Sequence, residues 1–263
     1  AKSEKITSIA DFLGARYGKS FTVAGIATVI AMFGTVPYIA LQLKAISGSV
    51  SLMVEHYNGA PPAVDLFIGD ISLAVALLLT MFAILFGTRH ADATEHQDGL
   101  ILAVAVESLV KLAAFLAVGI AVTFILLGSP AELIATVVAN PQVQSAFDYN
   151  TSLPTWIVMT VLSGLAIIML PRQFYVTVVE NRSEEELRKA SWMFPLYLVA
   201  INLFVVPIAF AGLAVMPADA NSDLYVVSLP LQYGQNALAV FAFIGGLSAA
   251  TAMVIVASVA LSI

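Results

Sequence analysis

Six long apolar stretches follow one another along the chain, separated by shorter polar segments. A helix needs about 20 apolar residues to cross the roughly 30 Å hydrocarbon core of a bilayer. Each stretch is near or above this length, the fourth only if it continues past Pro171. The pattern therefore predicts an all-α polytopic membrane protein with six transmembrane helices in contact with the lipid bilayer. The predicted spans are residues 20–46, 66–88, 99–128, 154–170, 190–216 and 234–263.

Positively charged residues are concentrated in every second polar segment. Nine of the 11 Lys and Arg residues lie in residues 1–19, 88–98 and 171–189, whereas residues 47–65, 129–153 and 217–233 contain none. Positive loops are retained on the cytoplasmic side of a membrane. The alternation therefore orients every span and predicts a cytoplasmic N-terminal segment.

Two of these polar segments carry shorter helical patterns. Ile6, Ile9, Phe12 and Leu13 recur at helical spacing, which predicts an amphipathic helix within residues 1–19. The segment 129–153 has an apolar middle, which predicts a short helix in an outer loop.

The overall composition excludes several classes of protein. The chain is 60% hydrophobic and only 11% charged, whereas soluble domains average about 25% charged residues. It has no cysteine, so a disulfide framework, a thiolate metal site and a cysteine nucleophile are excluded. Acidic residues spread over the predicted outer loops account for the net charge of −6, and nucleic acid is not an expected partner. The sequence starts at Ala1 and stops at Ile263 inside an apolar stretch, so we interpret it as an excerpt of a longer protein.

Proline and glycine residues interrupt several predicted spans. Such residues leave backbone groups unpaired, which is tolerated in a membrane only where protein or a wet cavity satisfies them. The breaks favour a transporter over a passive anchor. They are Pro37, Pro171, Pro195, Pro207 and the pair Gly245-Gly246.

Glu107 and Lys111 are two charges within the third predicted span. Their spacing of four residues places them on one helix face, where side chains can meet. Counted from Gly99, they lie about 12 Å and about 18 Å into the span. A lone charge at such depth costs about 2.5 kcal/mol or more, so pairing or access to water is required. An ion or substrate path and a structural intramembrane ion pair both remain open.

A stretch of small residues follows Gly245-Gly246 in the sixth span, and it includes Ser248, Ala249 and Thr251. Small residues allow a neighbouring helix to approach closely, while hydroxyls and freed carbonyls are ligands that a sodium ion prefers. Close helix packing and sodium binding both explain this stretch, and packing is the simpler explanation.

The predicted inner loop 88–98 contains His90, Asp92, Glu95, His96 and Asp98. Their spacing differs from the H-E-x-x-H and H-x-x-E-H motifs of zinc hydrolases, so a solvated loop is favoured over a metal site. There is also no Gly-rich phosphate loop, no G-x-S-x-G elbow and no kinase motif in the chain. We therefore assign no catalytic residue to this segment, and an intramembrane metal-dependent enzyme is the least favoured interpretation.

Several segments resemble the sodium/solute symporter family. Residues 6–18 (I-T-S-I-A-D-F-L-G-A-R-Y-G) are similar to the segment before its fourth helix, and residues 87–99 to the entry of its sixth. Residues 170–174 (L-P-R-Q-F) resemble the exit of its seventh helix, and residues 247–252 (L-S-A-A-T-A) resemble its ninth. Longer runs, such as E-S-L-V-K-L-A-A-F-L-A-V-G and L-P-R-Q-F-Y-V-T-V-V-E-N-R, resemble more closely the transporter-like membrane domain of sensor histidine kinases of the carbon and nitrogen catabolism type.

This resemblance covers nearly the whole chain and implies a specific fold. Residues 1–263 would form a single transmembrane symporter-like domain, a partial LeuT-type inverted repeat. The six spans would be its core helices three to eight. The implied location is the bacterial inner membrane. The implied partners are a small solute such as an amino acid, a histidine kinase module outside this sequence and a response regulator. A free-standing sodium/solute symporter is the alternative.

The resemblance also implies candidate site residues. Sodium would bind near Ala249. This residue replaces a Ser or Thr of the family, so the site in this chain has one hydroxyl fewer. The stacking aromatics of proline symporters are replaced at Ser163 and Ile167, so the solute would be held differently from proline. No cofactor other than Na⁺ is expected. The candidates are Gly245, Ser248, Ala249 and Thr251 for sodium, Tyr38, Gln42, Ser163, Gly164 and Ile167 for a substrate path, and Glu95, Asp98 and Arg172 on the inner side.

Overall fold

The structure, a computed structural model, describes residues 6–59, 71–86, 98–141, 143–144, 151–181 and 183–262, and every regular element in these ranges is helical. Two α-helices continue directly into a π-helical turn, α4 into Val122–Leu126 and α7 into Tyr175–Val179. The α-helices are α1 (Ile9–Arg16), α2 (Phe21–Asn58), α3 (Ile71–Phe86), α4 (Asp98–Ala121), α5 (Pro130–Ala139), α6 (Leu153–Met169), α7 (Pro171–Phe174), α8 (Glu184–Asn202), α9 (Val205–Val215), α10 (Tyr225–Gln232) and α11 (Asn236–Ser262).

Four helical segments among the described residues are long and apolar enough to cross a membrane. They are Phe21–Asn58, Ile101–Leu126, Glu184–Val215, which comprises α8 and α9, and Asn236–Ser262. The pair formed by α6 and Pro171–Val179 gives a fifth candidate, which is bent by 47° at its break. These helices are those of an integral membrane protein.

The all-helical class is confirmed, but the predicted number of six spans is not, because the described residues contain four or five candidates. The second predicted span, 66–88, extends beyond the described residues, and its described portion is the 16-residue helix α3. The fourth span is broken at Pro171, the residue at which the sequence indicated an interruption. Short helices occupy both segments for which the sequence predicts them, α1 at the N-terminus and α5 between α4 and α6.

Local sequence explains where several helices begin and end. Ser8, Ser20, Ser129, Ser152 and Ser183 each precede a helix, and each hydroxyl accepts a hydrogen bond from a backbone N–H of the first turn. These bonds satisfy donors that a helix start otherwise leaves without a partner. At its other end α2 stops at Gly59, whose φ of 70° is the left-handed conformation that glycine adopts without strain.

Helix α11 lies at the centre of the bundle. It contributes residues to all three clusters of buried apolar side chains. The largest cluster joins α11 to α4, α5, α9 and α10. The second joins it to α3 and Tyr175, and the third joins it to α2 and α3. This arrangement places the small residues of α11 between α4 and α2.

The outer faces of the bundle are strongly apolar. Trp156 on α6 and Trp192 on α8 are 61% and 81% exposed, and none of the 17 residues of α6 is buried. A water-soluble monomer rarely exposes contiguous apolar patches of more than a few hundred Å². Contact with the hydrocarbon of a bilayer accounts for these surfaces.

Candidate functional site

The break between α6 and α7 presents a charged residue to the bundle. Leu170 has an extended backbone (φ −68°, ψ 136°), which is the conformation preferred before a proline, and Pro171 then begins α7. Arg172 follows directly. Helix α6 has 17 residues and covers about 25 Å at 1.5 Å per residue, and Arg172 lies just beyond its end.

Arg172 contacts α2 through Tyr38. Its Nη1 donates a hydrogen bond to the Tyr38 hydroxyl at 2.5 Å, and its Cζ lies 5.0 Å from the centroid of the Tyr38 ring. The second contact is a cation–π interaction. The Tyr38 hydroxyl in turn donates to Sδ of Met253 on α11 at 2.8 Å. Tyr38 therefore links the broken span to α2 and α11.

A second polar contact joins α4 to α8. The ammonium of Lys111 lies 6.0 Å from the ring centroid of Tyr197, and the Tyr197 hydroxyl donates to the Ser108 carbonyl at 3.3 Å. Within the described part of the chain, Glu107 and Lys111 do not form an ion pair within 4.0 Å, whereas the exposed residues Lys189 and Glu185 do, at 2.9 Å. The proposed Glu107–Lys111 pair therefore stays a prediction.

These two contacts belong to one electrostatic cluster. Arg172 lies close enough to both Glu107 and Lys111 for charge–charge interaction between α7 and α4. The three side chains together carry one more positive than negative charge. Half-buried charges of this kind mark ion or substrate paths in membrane proteins, or structural pairs between helices.

The candidate sodium residues lie in a regular part of α11. A Cβ added at Gly245 would meet the Ala114 Cβ of α4 at 2.6 Å, so the glycine allows close helix contact. The Thr251 hydroxyl donates to the Leu247 carbonyl of its own helix at 2.8 Å. Ser248 and Ala249 are half-buried. The geometry of Gly245 accounts for packing, and sodium binding stays a prediction.

The five candidates for a substrate path do not form one site among the described residues. Ser163, Gly164 and Ile167 lie on the exposed surface of α6, which packs mainly against α7. Gln42 is half-buried on α2. Tyr38 alone of the five contacts Arg172, a residue that the sequence predicts on the inner side and not in this path.

The inner-loop candidates are mostly outside the described residues. Glu95 lies outside them, as do His90, Asp92 and His96, and Asp98 is the first residue of α4. In the part of the chain that the structure describes, no group of three or more His, Cys, Asp or Glu side chains is arranged to hold a metal ion.

An apolar groove of about 580 Å³ adjoins Tyr38 and Arg172. It runs between α1, the first half of α2 and the junction of α6 with α7, with Ala257 of α11 at its base. Phe12 of α1 packs against Phe174 of α7, with ring centroids 5.8 Å apart, and this contact holds α1 beside the groove. No local sequence pattern predicts the groove, because its walls come from four separate segments.

The bundle and this cluster define an integral membrane protein with charged and aromatic side chains in contact between its spans. Comparison of the chain with models of known protein families, with curated proteins and with solved structures finds no match.

Proposed function

We propose that this chain is the membrane domain of a transporter-like protein that binds a small solute, an amino acid or a similar compound, and translocates or senses it. The observation that carries the proposal is the broken span, whose Arg172 donates a hydrogen bond to Tyr38 on α2, while Tyr38 in turn donates to Met253 on α11. Broken helices with polar groups at the break are the usual place for solute and ion binding in secondary transporters.

The resemblance to sodium/solute symporters extends this proposal. On that basis we propose a partial LeuT-type repeat, an inner-membrane location in a bacterium, and coupling to a histidine kinase module and its response regulator. A free-standing symporter is the second candidate. The sequence that follows Ile263 in the complete protein distinguishes them, because a phosphoacceptor histidine with an ATP-binding module supports the first and a stop after a few more helices refutes it.

Uptake measurements on the complete protein in vesicles test the transport function. A screen of radiolabelled amino acids with and without a sodium gradient identifies the solute. Ser248→Ala should weaken the sodium dependence, because it removes a hydroxyl from the candidate site. Ser258→Ala is the matched control, since the Ser258 hydroxyl already donates to the Val254 carbonyl of the same helix at 2.8 Å. Equal sodium dependence in both variants would show that Ser248 serves helix packing and does not bind sodium. Failure of every amino acid to bind or to be taken up would refute the solute assignment.

A further inference from the structure

The groove beside α2 has the length of an extended hydrocarbon chain. Its wall on α2 runs from Val23 to Tyr38, which is about 22 Å at 1.5 Å per residue. Ile9 and Leu13 of α1 form part of the opposite wall. The volume of about 580 Å³ lies within the usual range of small-molecule sites, which are mostly apolar with a few polar groups that fix the orientation of the ligand.

The polar end of the groove is formed by Arg172. In the part of the chain that the structure describes, its hydrogen bond is the one from Nη1 to Tyr38, and Nε and Nη2 have no protein acceptor there. The Tyr38 hydroxyl is itself engaged with Met253. A guanidinium has five N–H donors in a planar fork, so most of its binding capacity is left unused by the described residues, and Arg172 lines the groove.

The charges near this guanidinium among the described residues are not balanced. Glu107 and Lys111 of α4 both interact with it electrostatically, and the three side chains together carry one positive charge in excess. A positive charge next to an apolar wall is costly unless an anion or water compensates it. The groove therefore combines an apolar channel with a site for one anion at its end.

We propose that this groove binds a single-chain carboxylic acid, a fatty acid, with its chain between α1 and α2 and its carboxylate on Arg172. Arginine pairs with a carboxylate through two parallel hydrogen bonds, which suits the donor groups that Arg172 leaves without a protein acceptor among the described residues. The single groove with a single guanidinium favours one chain over the two chains of a phospholipid. This site lies apart from the candidate sodium positions on α11, but it shares Arg172 and Tyr38 with the broken span on which the proposed function rests. The two proposals are tested separately, because solute uptake and fatty-acid labelling are different measurements.

Photolabelling of the chain in phosphatidylcholine nanodiscs tests the site. The probe is a long-chain fatty acid with a diazirine near its terminal methyl group, and labelled peptides are mapped by mass spectrometry. Gly34→Leu places a side chain in the groove, because Gly34 lines it and an added Cβ meets no atom within 4 Å. Gly25→Leu is the matched control, since Gly25 is also in α2 with open space around it but does not line the groove.

We expect labelling on α1 and α2 that Gly34→Leu reduces about tenfold or more and Gly25→Leu leaves unchanged. Arg172→Gln should reduce it by a similar factor, because a hydrogen bond to a charged group is lost, and Arg172→Lys by less. Unlabelled dodecanoate should compete, and dodecanol should compete much less.

Three results would overturn the proposal. One is equal labelling in Gly34→Leu and Gly25→Leu, both verified as monodisperse by size-exclusion chromatography. Another is equal competition by dodecanol and dodecanoate together with full labelling of Arg172→Gln, which would show an apolar site without anion binding. The third is loss of labelling in nanodiscs that contain phosphatidylglycerol, which would identify an anionic phospholipid as the occupant.

Discussion

At the scale of single residues, Lys111 shows how a charge is accommodated within an apolar span. Its ammonium lies over the face of Tyr197, where the negative face of the ring attracts a cation. Arg172 makes the same kind of contact with Tyr38. Both cations are thus placed on aromatic rings from other helices, and Glu107 supplies the negative charge that interacts with both. The arrangement couples the folding of α4, α7 and α8 to a few side chains.

Glu107 and Lys111 can be tested by changing one charge or both. Glu107→Gln alone should reduce the amount of folded protein in the membrane, because it leaves Lys111 and Arg172 without a negative counter-charge at a cost of about 2.5 kcal/mol or more. Lys111→Met alone should reduce it less, because Arg172 still interacts with Glu107. The double variant should recover most of the folded protein. Detergent-solubilised yield and thermal unfolding are the measurements.

The double variant also separates a structural role from a transport role. If the two charges line an ion path, the double variant should fold but lose uptake in the complete protein. Full folding and full uptake in the double variant would assign the pair to packing alone. Single variants that are both folded and active would refute both roles.

At the scale of helices, hydropathy predicted the spans well where a run of apolar residues alone determines the extent of the helix. The third, fifth and sixth predicted spans lie close to Ile101–Leu126, Glu184–Val215 and Asn236–Ser262. It failed at the end of α2, which continues to Asn58, 12 residues past the predicted boundary at residue 46. There the sequence becomes more polar but remains compatible with a helix, and Leu52 and Met53 pack against the largest buried cluster. Burial against other helices is not visible in local hydropathy.

The polar cluster was predictable only in its separate parts. Arg172 stands out beside Pro171, and Tyr38 lies near Pro37, but 134 positions separate the two residues. No local periodicity indicates that they touch. Met253 and Tyr197 gave no signal at all, because a methionine or tyrosine in an apolar span is normally interpreted as packing.

The close contact between α11 and α4 can be tested by its effect on the stability of the bundle. Gly245→Ala should destabilise the bundle by about 1–3 kcal/mol, because the new Cβ would lie 2.6 Å from the Ala114 Cβ and force the helices apart. Gly246→Ala is the matched control, since a Cβ there meets no atom within 4 Å. Thermal unfolding in one detergent gives the comparison. Equal melting temperatures for the two variants would contradict the close approach of α11 to α4.

At the scale of the whole molecule, the distribution of Lys and Arg predicts how the chain is oriented across the membrane. The helix bundle itself does not test this orientation. The loops before α2 and before α8 carry basic residues, whereas residues 217–233, between α9 and α11, carry none. If both basic loops are cytoplasmic, the broken span and the groove open toward the cytoplasmic leaflet. Arg172 would then lie near that leaflet, at the side where a cytoplasmic module is expected.

Single introduced cysteines test this orientation directly, since the chain has no cysteine of its own. Ala15→Cys in α1 and Glu184→Cys at the start of α8 should react with a membrane-impermeant maleimide only after intact cells are permeabilised. Asp219→Cys should react before permeabilisation, because residues 217–233 contain no Lys or Arg and are predicted to face outward. All three positions are exposed, so a difference in labelling reports the side of the membrane rather than burial. The reverse pattern would invert the topology, and equal labelling of Glu184→Cys and Asp219→Cys in intact cells would show that α8 and α9 do not form one span.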